Sequence, residues 1–89
     1  MAEALEIRRK RLLYQSGHRG TKESDLLMGA FAAAHLAGFS AAQLDRYEAL
    51  LAESDAEIFD WISGRALPPR EKMTDVLQLL LEFRFPGPS

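Results

Sequence analysis

Phe39-Ser40-Ala41-Ala42-Gln43-Leu44-Asp45-Arg46-Tyr47 is the stretch from which the helical reading of this chain grows. Ser40 is an N-cap residue with Gln43 three positions on, the spacing of a capping box in which each side chain satisfies the other residue's backbone N–H. Phe39 and Leu44 flank it at the positions of a hydrophobic staple, so a helix must begin here. Leu44, Tyr47 and Leu51 then form an apolar stripe, while Asp45, Arg46 and Glu48 turn to water. Downstream, Ser54 and Glu57 repeat the capping-box spacing. They open a short helix that carries Ile58, Phe59, Trp61 and Ile62 to a stop at Gly64. A fifth helix is expected directly after Pro68-Pro69, with Glu71 in its first turn and Met73, Val76, Leu77 and Leu80 inward, running to about residue 84 with Pro86 beyond it. Upstream, a helix begins near residues 22–24 and reaches residue 37, with Leu27, Phe31 and Ala34 at helical spacing and Gly38 as its stop. The first helix covers about residues 3–15 and ends where Gly17 is free to take a left-handed cap conformation. No segment alternates apolar and polar residues with β-branched enrichment. The expectation is an all-α fold, a compact antiparallel bundle of five helices, as one domain over residues 1–89 with a loop at 17–23 and a loose tail at 86–89.

Composition agrees with one small globular domain. The chain has 89 residues, 47% hydrophobic and 27% charged, too apolar and too balanced for disorder. At this length roughly 60–65% of the unfolded surface is buried, enough for one modest core but not for a second domain with its own cleft. The absence of cysteine excludes disulfides, thiolate metal sites and cysteine nucleophiles. The longest nearly apolar stretch, residues 26–39, is interrupted by His35 and is shorter than the roughly 20 residues a membrane-spanning helix needs, so no membrane insertion is expected. Residues 1–22 have neither the apolar run of a signal peptide nor the acid-poor composition of a transit segment. They read as the start of a cytoplasmic protein.

Charge is unevenly placed. Residues 1–22 hold six bases against two acids, and residues 23–89 hold five against eleven, which makes a basic head on an acidic body with a net charge of −2. Such a distribution orients an encounter with a partner of mixed charge. Arg8, Arg9, Lys10 and Arg11 spread over about 300° of a helix at 100° per residue, so they do not share one groove. The acidic body also opposes the phosphate attraction on which nucleic-acid affinity depends. A small basic-headed nucleic-acid-binding module, or a helical adaptor with several partners, is the competing reading; the favoured one has no nucleic-acid partner.

The inventory for catalysis is empty. There is no nucleophile elbow, no phosphate loop and no dinucleotide fingerprint, so no enzyme is expected. His18 and His35 stand 17 residues apart, without the i,i+4 placement of a helical metal pair, and no metal site is expected. His35 reads as a packed residue or a partner of the helix C-terminus, Trp61 as core, and Glu53, Asp55, Glu57 and Asp60 as a solvated face.

Gly17-His18-Arg19-Gly20-Thr21-Lys22-Glu23-Ser24-Asp25 is different in kind. It joins two helices and packs glycines, an arginine and carboxylates into nine residues. Gly20 either lets a partner's main chain approach closely or lets the loop adopt a positive φ. Arg19 presents a planar fork of donors, and Glu23 follows four residues on. Two readings stand: the pair serves a partner, or Arg19 and Glu23 simply pair with each other across a turn.

Leu12-Leu13-Tyr14-Gln15-Ser16 followed by Arg19-Gly20-Thr21-Lys22-Glu23 resembles the signature of the succinate dehydrogenase FAD-assembly factors (SdhE in bacteria), whose hallmark is RGxxE in the first interhelical loop. The similarity continues through Phe31-Ala32-Ala33-Ala34-His35-Leu36, through Gln43-Leu44 with Tyr47, and through Leu50 to Trp61, so that it covers about residues 12–83. The resemblance implies five helices. It also implies an assembly factor, or chaperone, that binds the flavoprotein subunit of succinate dehydrogenase, with the fumarate reductase flavoprotein as a further candidate client, and promotes its covalent flavinylation. By motif match Arg19, Gly20 and Glu23 form the center of the contact surface, with Asp25 and Tyr14 as weaker candidates. His18 stands where the family usually has a basic residue, which makes affinity pH-dependent. FAD is inserted into the partner, and no cofactor is held stably by this chain. A weak homodimer that hides the loop is a candidate free state.

Overall fold

The computed structural model describes residues 3–83. The helices are α1 (Leu5–Ser16), α2 (Lys22–His35), α3 (Ala41–Leu51), α4 (Asp55–Ser63) and α5 (Asp75–Glu82), with 3-10 turns at Leu36–Gly38 and Arg70–Lys72. No strand occurs among the described residues, and the fold is all-α as expected.

The capping box of α3 forms completely. Gln43 N donates to Ser40 Oγ at 3.2 Å and Ser40 N donates to Gln43 Oε1 at 2.9 Å. Phe39 and Leu44 beside it are both buried. At α4 only the N-cap bond from Glu57 N to Ser54 Oγ is present, so the expected box is half made. Gly64 ends α4 with φ +79°, the left-handed stop read from the sequence. Three boundaries differ. Gly17 has φ −90° rather than a left-handed value, its N–H donating to the Leu13 and Tyr14 carbonyls, because the chain leaves α1 by an ordinary turn. The helix α2 ends at His35, and the segment reaches Gly38 only as a 3-10 turn. The fifth helix starts at Asp75, not after the prolines, because Thr74 Oγ1 accepts from Leu77 N and caps it there. Met73 precedes that cap and is 43% exposed, so it is not a core residue. Arg84, Pro86 and the tail at 86–89 lie outside the described residues.

The core is one cluster drawn from every helix: Leu12 of α1, Met28 and Phe31 of α2, Leu44 and Tyr47 of α3, Ile58 and Trp61 of α4, and Val76, Leu77 and Leu80 of α5. Burying each aliphatic side chain of this size stabilises by about 1.5–3 kcal/mol before entropy is counted. Leu51, read as a stripe residue, is half-buried, and its neighbour Leu50 is the buried one. His35 packs among Phe31, Phe39 and Phe83, with ring centroids 4.6, 6.0 and 6.1 Å away, as a packed histidine does.

α1 and α2 run in opposite directions, with Gly17 set against Gly29 and Arg9 reaching the far end of α2, where its Nε and Nη2 donate to the carbonyls of Leu36 and Phe39. Arg8 and Arg11 meet the acids of α3. Arg8 donates to Asp45 at 2.6 Å and to Glu48 at 2.9 Å, while Arg11 bridges Glu3 and Glu48. Two of the bases of the head are thus answered by acids of the body. Arg11 and Arg8 together hold the Glu48 carboxyl below the usual carboxylate range. Lys10 alone of the four stays well exposed, 3.9 Å from Glu6.

Candidate functional site

The loop between α1 and α2 hangs from a buried polar anchor. Ser16, the last residue of α1, is fully buried; its hydroxyl donates to Leu12 O at 2.7 Å and lies 2.6 Å from the Tyr47 hydroxyl. A serine has one proton to give, and the Leu12 carbonyl can only accept. Tyr47 is therefore the donor to Ser16. Burial pushes the Tyr47 phenol up to about 12, against the opposing pull of Ser16 and Arg19, so this donor keeps its proton.

Beyond Ser16 the chain turns through Gly17 and His18 into Arg19, whose side chain points inward. Its Nε donates to Asp55 Oδ1 at 2.6 Å, Nη1 to Leu51 O at 2.9 Å and Nη2 to Glu53 O at 2.8 Å. The side chain is only 11% exposed. The guanidinium thus occupies the α3–α4 junction, satisfying a carbonyl of the last turn of α3 and pairing with the first residue of α4. Burial on its own raises the Asp55 carboxyl, but the Arg19 guanidinium and the Ser24 hydroxyl outweigh it and hold that carboxyl below the usual range. Asp25 organises the other side of the loop, its Oδ1 accepting from the backbone N–H groups of Arg19 and Gly20. Thr21 caps α2 by accepting from Ser24 N.

Of the two readings of Arg19 and Glu23, the mutual pair does not form. Arg19 sits in the loop rather than in a helical turn, so the i,i+4 geometry does not apply, and its charge is answered by Asp55. The positive φ of Gly20, +114°, selects the conformational reading of that glycine. A Cβ built there would meet nothing within 4 Å, so the space above it is open as well.

The six sequence candidates divide between two sides. Arg19 and Asp25 face inward and shape the loop. Tyr14, His18, Gly20 and Glu23 face outward. Tyr14 is 65% exposed and stacks on His18, with centroids 3.9 Å apart and planes at 12°. His18 Nδ1 lies 2.7 Å from Tyr14 O, and because a carbonyl accepts, Nδ1 carries the proton and Nε2 is left toward solvent. Glu23, in the first turn of α2, is exposed and has no side-chain partner among the described residues. Asp55 is the residue that sequence reasoning misses: in sequence it reads as part of a solvated face, whereas in the structure it pairs with Arg19. The signal available was that an arginine held in a glycine-bearing loop needs a carboxylate, and Asp55 lies inside the 50–61 segment of the resemblance. Among the described residues no cluster of histidine and carboxylate could hold a metal ion, and no helix is long and apolar enough to cross a membrane.

A family model described as flavinator of succinate dehydrogenase matches residues 10–84, which contain the whole of this loop and its anchor. The chain belongs to this family. Among curated relatives, succinate dehydrogenase assembly factor 2, mitochondrial, of Debaryomyces hansenii is 43% identical over 84 residues, 90% of this chain and 59% of that protein. The protein of the same name in Dictyostelium discoideum is 45% identical over 76 residues, 85% of this chain and 54% of that protein. Succinate dehydrogenase assembly factor 2-A, mitochondrial, of Drosophila yakuba is 44% identical over 80 residues, 88% of this chain and 49% of that protein. The chain thus spans about half the length of the curated relatives it matches. Their names overturn the expectation of a cytoplasmic protein, since they place these relatives in the mitochondrion. Composition over residues 1–22 is too weak a quantity from which to read a compartment, because it describes one short stretch whose charges are engaged in the fold.

Proposed function

We infer that the chain binds the flavoprotein subunit of succinate dehydrogenase through the outward side of the 17–25 loop and promotes covalent attachment of FAD to a histidine of that subunit. Glu23 is the observation that carries this reading. It is an exposed carboxylate with no side-chain partner among the described residues, beside a loop held by Arg19 and Asp25, and its structural task is limited to the modest favourable interaction of an acid with the first turn of α2. Tyr14, exposed and stacked on His18, offers a second outward group.

Covalent attachment would form a bond between a methyl carbon of the flavin ring and a histidine nitrogen of the partner, the carbon and the nitrogen each giving up a proton and the ring taking up the electron pair, which an external electron acceptor would then remove. Those atoms belong to the partner and its cofactor. This chain acts by holding the partner's domains in the arrangement that aligns them, which lowers the barrier by positioning and by preorganised polar groups. No dinucleotide fingerprint is present, so FAD is carried by the partner and none is held here. Of the bases on which the nucleic-acid reading rests, Arg8, Arg9, Arg11 and Arg19 are engaged inside the domain and only Lys10 stays well exposed, which favours a protein partner.

The test is covalent flavin fluorescence in a denaturing gel of the flavoprotein incubated with FAD and no helper, this chain, or its Glu23→Ala variant. Signal that rises with the native chain and falls with the variant, at unchanged circular dichroism, supports the reading. Equal signal in all three lanes refutes it.

A further inference from the structure

We propose that Asp55 is a positioning residue for flavinylation: it holds Arg19 from across the fold, and it is through Asp55 that the α3–α4 junction sets the conformation in which Gly20 and Glu23 meet the partner. This inference rests on the proposed function and deepens it by separating the residues that touch the partner from those that present them.

The geometry assigns the roles. Three donors of one guanidinium go to three acceptors confined to residues 51–55, at 2.9, 2.8 and 2.6 Å. Two of these acceptors are backbone carbonyls and make no demand on side-chain type. Asp55 alone supplies the countercharge, and so holds the loop through Arg19, on the N-terminal side of Gly20. On the other side Thr21 Oγ1 donates to the hydroxyl of the fully buried Ser24, one residue after Glu23. Asp25 then fixes the amides of Arg19 and Gly20. Loss of the Asp55 charge leaves the Arg19 cation facing two carbonyls in a largely buried place. The favourable response is for the side chain to swing out to water, which takes the φ +114° turn at Gly20 with it. Docking onto a loop that must first be re-ordered is weaker by the fraction of time the loop is correctly formed.

The experiment compares Asp55→Asn, Arg19→Lys, Glu23→Gln and Glu57→Gln in the full chain. Asp55→Asn keeps the shape and removes the charge; Arg19→Lys keeps the charge and gives up the fork. Glu57→Gln is the control for charge in the first turn of α4. Two readouts are taken: amide hydrogen exchange of residues 17–23, and covalent flavin on the succinate dehydrogenase flavoprotein. Asp55→Asn and Arg19→Lys are expected to speed exchange at Arg19 and Gly20 at least tenfold and to lower the flavinylation rate by a similar factor. Glu23→Gln is expected to lower flavinylation with loop exchange unchanged, and Glu57→Gln to change neither. Native flavinylation by Asp55→Asn, or lost flavinylation with native loop exchange, overturns the proposal. So does global unfolding of both Asp55→Asn and Arg19→Lys, since the contact then holds the whole domain rather than the loop. If the native chain itself gives no flavinylation, the proposed function fails, whereas the exchange readout still decides whether Asp55 holds the loop.

Discussion

Replacing Ser16 by alanine removes one hydroxyl from the anchor of the loop, and its consequence can be worked out from the contacts. The Tyr47 phenol is 0% exposed, donates to Ser16 at 2.6 Å, and after the substitution has no acceptor and no access to water. A buried polar group stripped of its partner costs about 1–3 kcal/mol. Alanine returns about 0.5 kcal/mol through its better helix propensity at the end of α1. The net loss is about 0.5–2.5 kcal/mol, and each kcal/mol moves the midpoint of a domain this size by about 4–8 °C. Tyr47→Phe, which removes the donor while Ser16 keeps its bond to Leu12, is expected to cost about 1 kcal/mol. In the double variant neither unsatisfied group exists. The two losses then fail to add, the double costing about 1 kcal/mol less than their sum. Urea unfolding of the four proteins, followed by circular dichroism at 222 nm, gives the cycle. Additive losses, or a Ser16→Ala cost inside the error of the extrapolation, refute the assignment of Tyr47 as donor to Ser16.

Two further outcomes are expected. Gly20→Ala meets no clash, since nothing lies within 4 Å of the new Cβ, so its cost is the backbone strain of φ +114° alone, about 1–3 kcal/mol. It is expected to lower the urea midpoint and flavinylation together, and a native midpoint shows that the positive φ is not required. The carboxyls of Asp55 and Glu48 are held below their usual values, so each contributes stability that is present above the unfolded value near pH 4 and is lost as pH falls through the folded value. Melting temperature is expected to hold from pH 7 down to about 4.5 and then drop, less steeply in Asp55→Asn; a midpoint that is flat into strong acid refutes this.

How much was legible follows from the distance over which each signal acts. The Ser40–Gln43 box spans four residues and is complete in local sequence, so the start of α3 is legible to the residue. Thr74 caps α5 just as locally, but Leu77 stands where a box needs glutamate or glutamine, and Pro68-Pro69 offers a stronger start signal six residues earlier. The prolines instead precede a 3-10 turn, and the helix is shorter than expected by the length of that detour. The candidate loop was found because glycine, arginine and carboxylate crowd into one short stretch. The partner of its arginine was not found, because a 36-residue separation is visible only once α3 and α4 fold back on α1. The same holds for Arg8 and Arg11: helical spacing places them on related faces of α1, but only the packing of α1 on α3 supplies Asp45 and Glu48.

These long-range pairs bear on how a domain of this size makes a specific contact. A free loop of this length pays for ordering at the moment of docking, about 0.5–1.5 kcal/mol for each side chain immobilised. Here Arg19, Asp25 and Ser24 are immobilised when the domain folds, leaving Glu23 and Tyr14 as the larger groups still to be ordered. The pairing of the basic head with the acidic body has a related effect. With Arg8 and Arg11 already answered by Asp45 and Glu48, long-range attraction between the head and an acidic partner is weak, and approach depends on the shape and polarity of the loop itself. On the proposed function, recognition of the flavoprotein is then set mainly by the rate of leaving rather than the rate of arrival, and a rise in salt from low to physiological strength is expected to change flavinylation little. Steep salt dependence would instead place the basic residues of α1 in the contact and move the center of the site away from Glu23.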